Sequence, residues 1–288
     1  MPRPVCITYD STCDLTPQLL ERFQIRTVPL TIQSGERVFA DDGQYTSADL
    51  YADYRRNGTL PKTAAVSPEE FKSFFSPILE EGYDIVHIDI SSELSCTCQN
   101  AVLAAQELAE QGRVYVVDSR QLSTGGGLLA LQGAKLRDSG MDAADVAEKL
   151  RGLASCGDTS FVLDTLEYMW KGGRCSGVAA LGANVLKLKP CLEMREGKLV
   201  VCKKYRGAMG KVYRQYITER LAGKKVVEDH AFITHSGEVS EDTLRELTKL
   251  VRELAPFKEV FITQAGCTVS SHCGPGTLGV LFLRQPAQ

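Results

Sequence analysis

Three clusters of hydroxyl and carboxylate side chains follow apolar runs in the first half of this chain. They are Asp10-Ser11-Thr12 after residues 5–9, Ser91-Ser92 after residues 84–90, and Asp118-Ser119 after residues 114–117. If the runs are strands of an open parallel sheet, their carboxyl ends face one crevice. The helices that follow then aim free N–H groups and positive dipole ends into it, which suits an anionic headgroup. The plainer reading of any one cluster is a helix cap, because Ser, Thr and Asp cap helices at most strand–helix turns. Residues 91–97 carry more hydroxyls than a cap requires: Ser91, Ser92, Ser95 and Thr97. Ser95 falls where a helix should begin, so its Oγ and nearby N–H groups could converge on an oxyanion. Residues 63–68 read as a loop offering Thr63, with Ser67 as a helix cap. Residues 271–279 read as a rigid loop, stiffened by Gly274-Pro275-Gly276, that presents His272.

Other chemistries lack their motifs. There is no G-x-S-x-G elbow, no G-x-x-x-x-G-K-[ST] and no H-E-x-x-H, and Gly125-Gly126-Gly127 fits no dinucleotide fingerprint. A Ser95–His272–Asp118 triad is compatible with the residue types but has no specific support. The ten cysteines are scattered, with no C-x-x-C. Cys96 and Cys98 with Cys267, His272 and Cys273 fit no common zinc spacing, so no metal is expected. A formal charge of -3 argues against a broad nucleic-acid or anionic-membrane surface. No run of apolar residues reaches membrane-spanning length, so no stable membrane insertion is expected. The strand pattern begins almost at residue 1, without a signal-peptide core, and we expect a cytoplasmic protein with reduced thiols.

These residues need elements to hold them. Residues 1–157 alternate strand and helix: strands at 5–9, 27–32, 84–90 and 114–117, with helices after Pro17 and at 48–56, 68–80, 97–111 and 122–137. That alternation predicts a parallel-sheet α/β/α domain. Residues 158–288 change character. A hairpin about residues 195–197, helices at 209–221 and 241–254, and strands at 231–234, 260–263 and 278–283 predict an α+β domain on a mixed sheet. A ligand could sit between the two. Residues 128–131 and 178–182 mix small and large apolar side chains, which could leave room for a lipid chain or simply form core.

Read together, ITYDSTCDL at 7–15, TVPLTI at 27–32, TAAVSPEEF at 63–71, ISSELSCTCQNA at 90–101, VVDS at 116–119, GGR at 172–174 and HCGPGTLGV at 272–280 resemble the DegV family, in the family's order and over nearly the whole chain. The resemblance implies a non-catalytic carrier that buries a long-chain fatty acid between two domains. Thr63, Ser95 and His272 would hold the carboxylate, and Ser92, Thr97, Gly274 and Gly276 would support that loop system. The carrier would present the acid to a separate dihydroxyacetone-kinase-like fatty acid kinase. ATP and magnesium would belong to the partner, and the carrier would need no cofactor of its own. The acyl phosphate would enter phospholipid synthesis. Arg174, and Arg206 in Tyr205-Arg206-Gly207, match positions that serve the partner or the transferred phosphate. The chain departs from the family pattern at Ala64-Ala65-Val66, Cys96 and Cys98. The alternative is a serine-dependent hydrolase or acyltransferase using Ser95 and His272.

Overall fold

The computed structural model describes residues 3–175 and 188–286. The apolar run of residues 178–182 lies outside them. Strands β1 (Val5–Asp10), β2 (Ile25–Val28), β6 (Asp84–Asp89) and β7 (Val114–Asp118) form a wholly parallel sheet in the order β2-β1-β6-β7. A small antiparallel sheet, β4-β3-β5, joins β3 (Thr31–Ser34), β4 (Arg37–Ala40) and β5 (Lys62–Ala64). The second half builds a six-stranded sheet in the order β10-β9-β8-β13-β11-β12. Its strands are β8 (Gly157–Val162), β9 (Leu188–Arg195), β10 (Lys198–Arg206), β11 (Val226–His235), β12 (Glu259–Gln264) and β13 (Leu278–Arg284). Within this sheet, among the described strands, only the β11/β12 pairing is parallel.

The ten α-helices of the described residues follow local signals. Thr16 caps α1 (Pro17–Phe23), with Pro17 at the first position, where a missing N–H matters least. Capping boxes open α2 (Ser47–Asn57, from Thr46) and α3 (Pro68–Glu80, from Ser67). They are followed by α4 (Thr97–Glu107), α5 (Thr124–Asp138), α6 (Ala143–Ala154), α7 (Glu167–Gly172), α8 (Met209–Leu221), α9 (Glu241–Leu254) and α10 (Cys267–Cys273).

Helix α5 joins the halves. It packs on β1 and β6 of the parallel sheet and on β8, β11 and β13 of the mixed one. One apolar cluster accordingly contains Ile7, Leu129, Val146, Phe232 and Leu281. The three glycines let the helix into so narrow a layer. A Cβ on Gly125 would lie 1.9 Å from Thr159 Oγ1, and one on Gly126 would lie 1.8 Å from Tyr9 Oη.

The structure corrects several expectations. The expected strand at 27–32 is two strands of different sheets. Pro29, lacking an N–H, interrupts the ladder and the chain turns from β2 to β3. Helix α4 ends at Glu107, not at 111; Leu108 closes it, while Gly112 lies where a Cβ would strike Arg3 and Leu79. Helix α6, opened by the Asp142 cap, was not anticipated. Leu128 to Leu131 are core packing between the sheets and do not line the cavity at the seam of the sheets.

Candidate functional site

A cavity of about 340 Å³ opens at the seam between the parallel sheet, the small sheet and the six-stranded sheet. Its wall is apolar, from Leu30, Ile90, Leu122, Met169, Leu199 and Val269, and its polar lining is Thr63, Ser95, Arg174, Thr268 and His272. Several of these wall residues belong to one cluster that draws on both halves of the chain. A ligand would therefore have to be mostly hydrocarbon with one polar end.

Thr63, Ser95 and His272, nearly 210 positions apart at the extremes, all line this cavity. Two of them sit on elements that the sequence reading did not give them. Thr63 is in strand β5, not a loop, and His272 is in the last turn of helix α10, with the glycine loop following it. Thr63 Oγ1 and His272 Nε2 are hydrogen-bonded at 3.2 Å. Ser95 Oγ bonds Thr97 Oγ1 at 2.7 Å and accepts the Thr97 N–H at 3.2 Å, so it helps to cap α4 while facing the cavity. Thr97 is buried beneath it.

The N-terminus of α10 is held by carboxylates from the other end of the chain. Asp41 accepts the N–H groups of Cys267 (2.8 Å) and Thr268 (3.1 Å), and Asp14 accepts that of Gly266 (2.8 Å). Both carboxylates are buried, and Ser123 Oγ also donates to Asp14. Burial, with Asp41 and Asp10 nearby, pushes the Asp14 carboxyl up to about 8 against the pull of its hydrogen bonds. The sequence reading missed Asp14 and Asp41, since no spacing ties residues 14 and 41 to 266–268. It also missed Thr268. This residue lies one turn before His272 on the cavity face, and its buried Oγ1 has no hydrogen-bond partner among the described residues. Here a signal existed: the i, i+4 spacing of Thr268 and His272.

The His272 ring is pressed against Gly172, where a Cβ would lie 2.3 Å from Nδ1. Burial first, and then the nearby Arg174 charge, push its pKa down to about 4, so the ring is neutral at physiological pH. An unfolded chain would take up this proton near pH 6.5, before the folded one. Stability from this group is therefore full above that pH and is lost as pH falls from about 6.5 to about 4. Removing Arg174 should raise the His272 midpoint without restoring it to 6.5, because burial is the larger cause. Proton NMR titration of the His272 ring in wild type and Arg174→Ala checks this, and an unchanged or lowered midpoint would refute it.

The remaining expected residues divide. Arg174 lines the cavity mouth, exposed, with Nη1 donating to Gly172 O at 2.7 Å. Arg206 does not line the cavity; it is exposed at the end of β10, paired with Leu188. Ser92 is also absent from the lining, because Asp118 takes both its N–H (3.2 Å) and its Oγ (2.6 Å). Asp10 likewise turns inward, accepting from Thr12 and from the Ile90 N–H at 2.8 Å. Asp10, Ser92 and Asp118 thus tie strand ends to each other, while the cavity at those carboxyl ends is lined instead by Leu30, Ile90, Ser95 and Leu122. Gly274 and Gly276 have φ of 75° and 70°, and a Cβ on Gly274 would strike the Tyr168 ring at 2.5 Å. They fix the path out of α10. No Ser–His–Asp relay is assembled: Ser95 is bonded to Thr97, His272 to Thr63, and Asp118 to Ser92 and Arg120. No group of three or more His, Cys, Asp or Glu among the described residues could hold a metal, and no described helix is long and apolar enough to cross a membrane.

These features define an α/β protein of three sheets with an apolar cavity edged by neutral hydrogen-bonding groups and, at its exposed side, the Arg174 guanidinium. The chain belongs to the DegV family, whose model, described as an uncharacterised protein family, matches residues 4–285. A DegV domain-containing protein of Deinococcus radiodurans is 31% identical over 284 residues, covering 96% of this chain and 97% of that one. Among solved structures, a DegV family protein from Thermus thermophilus, described for its fatty acid binding, superimposes with a TM-score of 0.87 at 31% identity, covering 98% of this chain and all (100%) of that one. A DegV lipid-binding protein from Thermotoga maritima gives 0.85 at 27% identity, covering 98% and 100%. The Streptococcus pneumoniae fatty acid kinase (Fak) B3 protein, loaded with linoleic acid, shares the fold with a TM-score of 0.83 at 22% identity, covering 98% and 100%.

Proposed function

We propose that the cavity holds one long-chain fatty acid between the lobe of residues 1–157 and that of residues 158–288, and that the protein presents the acid's carboxylate to a separate ATP-dependent kinase. The observation that carries this reading is the hydrogen-bonded Thr63–His272 pair at the polar end of an apolar cavity. The fatty acid and lipid binding described for the Thermus and Thermotoga relatives supports it.

The physics is consistent. Each buried methylene contributes roughly 0.8 kcal/mol, so about 14 give a gross stabilisation of roughly 11 kcal/mol before association costs. A carboxylate drawn in with the chain needs donors. The hydroxyls of Thr63, Ser95 and Thr268 and the neutral ring of His272 offer them without a fixed ion pair. A carboxylate held only by neutral donors keeps its nucleophilic oxygen available for phosphoryl transfer, whose chemistry is mainly positioning and charge neutralisation. The partner would bring ATP and magnesium. Arg174, exposed at the mouth, would neutralise the transferring phosphoryl group or meet the kinase, and Arg206 would serve only the kinase face.

Native mass spectrometry of the purified protein, followed by solvent extraction, should reveal a bound long-chain fatty acid; a protein that neither carries nor takes up one would end the proposal. His272→Ala should reduce acyl-phosphate formation with the kinase by about tenfold or more, while weakening fatty-acid binding less. Equal losses in both would contradict a positioning role for His272. Activated esters should leave Ser95 unacylated.

A further inference from the structure

The second half of the chain holds a pair of thiols that the lipid site does not use. Cys191 lies in β9 and Cys202 in β10, and the register between these strands shifts at this point. Val201 pairs with Leu192 and Lys203 with Cys191, so Cys202 is the extra residue of a β-bulge beside Cys191. A bulged residue and its successor both face the single residue opposite, which turns the Cys202 side chain toward Cys191. Its Sγ lies 3.4 Å from the Cys191 carbonyl oxygen, while the Cys191 thiol lies 3.8 Å from the Leu192 carbonyl oxygen. Because a bulge sets both Cys202 and Lys203 against Cys191, the two cysteines are neighbours across the strands, as a disulfide requires.

The two sulfurs differ in reach. Cys191 is buried, whereas Cys202 is exposed. The neighbouring Cys191 thiol lowers the Cys202 pKa, while the Cys202 thiol and then burial raise that of Cys191. This division separates an attacking thiolate from a shielded resolving thiol.

We propose that Cys202 and Cys191 form a reversible oxidation site for small peroxides, with Cys202 attacking first and Cys191 closing an intrachain disulfide. In the first step the Cys202 thiolate attacks hydrogen peroxide. An S–O bond forms and the O–O bond breaks; sulfur is oxidised to the sulfenic acid and the departing hydroxide takes up a proton as water. In the second, Cys191 attacks that sulfur. The S–S bond forms, the S–O bond breaks, and the leaving hydroxide combines with the Cys191 proton as a second water. Two thiols and one peroxide give one disulfide and two waters. A thiol reductant reverses the change by exchange. The bond would pin the bulge and so fix the strand segment between the cavity wall at Leu199 and Arg206 at the strand end.

The test is peptide mapping after brief exposure to hydrogen peroxide. Cys191 and Cys202 fall on separate tryptic peptides, 188–195 and 199–203. The wild-type protein should lose about 2 Da, join these two peptides, and recover with dithiothreitol. Cys96, the other exposed thiol, serves as the internal comparison. In Cys191→Ser, Cys202 should accumulate a dimedone-trapped sulfenic acid at least about tenfold above that on Cys191 in Cys202→Ser. The proposal fails if peroxide oxidises Cys96 while 188–195 and 199–203 stay unlinked, or if Cys191 is oxidised as readily without Cys202. Circular dichroism of both variants confirms that they are folded.

Discussion

Asp41→Ala should weaken both the fold and the proposed lipid site, and the second effect is the more informative. Asp41 is buried and accepts two backbone N–H groups at the start of α10, with a third hydrogen bond from Ser11 Oγ at 3.3 Å. Alanine leaves those N–H groups buried without acceptors, at a cost of about 2–4 kcal/mol. His272 rides on the last turn of this one short helix. Loosening its start lets the imidazole drift from Thr63, so acyl-phosphate formation with the kinase should fall by about tenfold or more, and fatty-acid affinity measurably but by less, even in protein that remains folded. Asp41→Asn keeps an acceptor oxygen and should recover much of both losses. Calorimetric unfolding alongside ligand titration checks this. If Asp41→Ala were destabilised but bound fatty acid with wild-type affinity, the carboxylate would be a structural cap and nothing more.

Gly126→Ala should be the most destabilising small substitution in the molecule's central helix. The added methyl would lie 1.8 Å from Tyr9 Oη, and Tyr9 is fully buried with its hydroxyl bonded to Ser119 Oγ at 3.2 Å. Neither partner has room to retreat, because α5 is packed on both sheets. Overpacking of this kind typically costs about 1–3 kcal/mol, and here we expect about 3 kcal/mol with loss of the tyrosine hydrogen bond. For a chain of this size that lowers Tm by about 6–12 °C. Helix propensity alone would favour alanine over glycine by nearly 1 kcal/mol, so a rise in Tm would show that the close approach is wrong. Gly152→Ala provides the contrast: it is helical, nothing lies within 4 Å of its Cβ, and it should stabilise slightly.

Much of the architecture was legible in the sequence because it rests on local physics. Strand–helix alternation, the Thr16 and Ser67 caps, and the Glu196-Gly197 turn with φ of 51° and 81° all act within a few residues. The failures occurred where a local signal has two outcomes. Residues 27–32 read as one β-rich run, yet Pro29 divides it between two sheets. Residues 271–273 precede Gly274 and read as part of its loop, yet they complete α10, whose start depends on acceptors supplied from far away. The strand-end Ser and Asp residues looked like an anion site. They are spent on one another, as Ser92 and Asp118 show.

The site divides in the same way. Thr63, Ser95 and His272 were picked out as residue types in marked segments, and Arg174 as part of a short motif. Their meeting was not legible, because it requires β5 to pair with β3, α10 to be held by Asp14 and Asp41, and Gly172 to admit the imidazole ring. The amino-acid order by itself determined most of the strands and helices and caps such as Thr16 and Ser67, since those choices are settled by interactions within a few residues, whereas the start of α10 rests on Asp14 and Asp41. Only the tertiary structure decided that a lipid-sized cavity exists and which polar groups edge it. Space and hydrogen-bond partners there come from segments more than two hundred residues apart, whose approach is set by packing around α5.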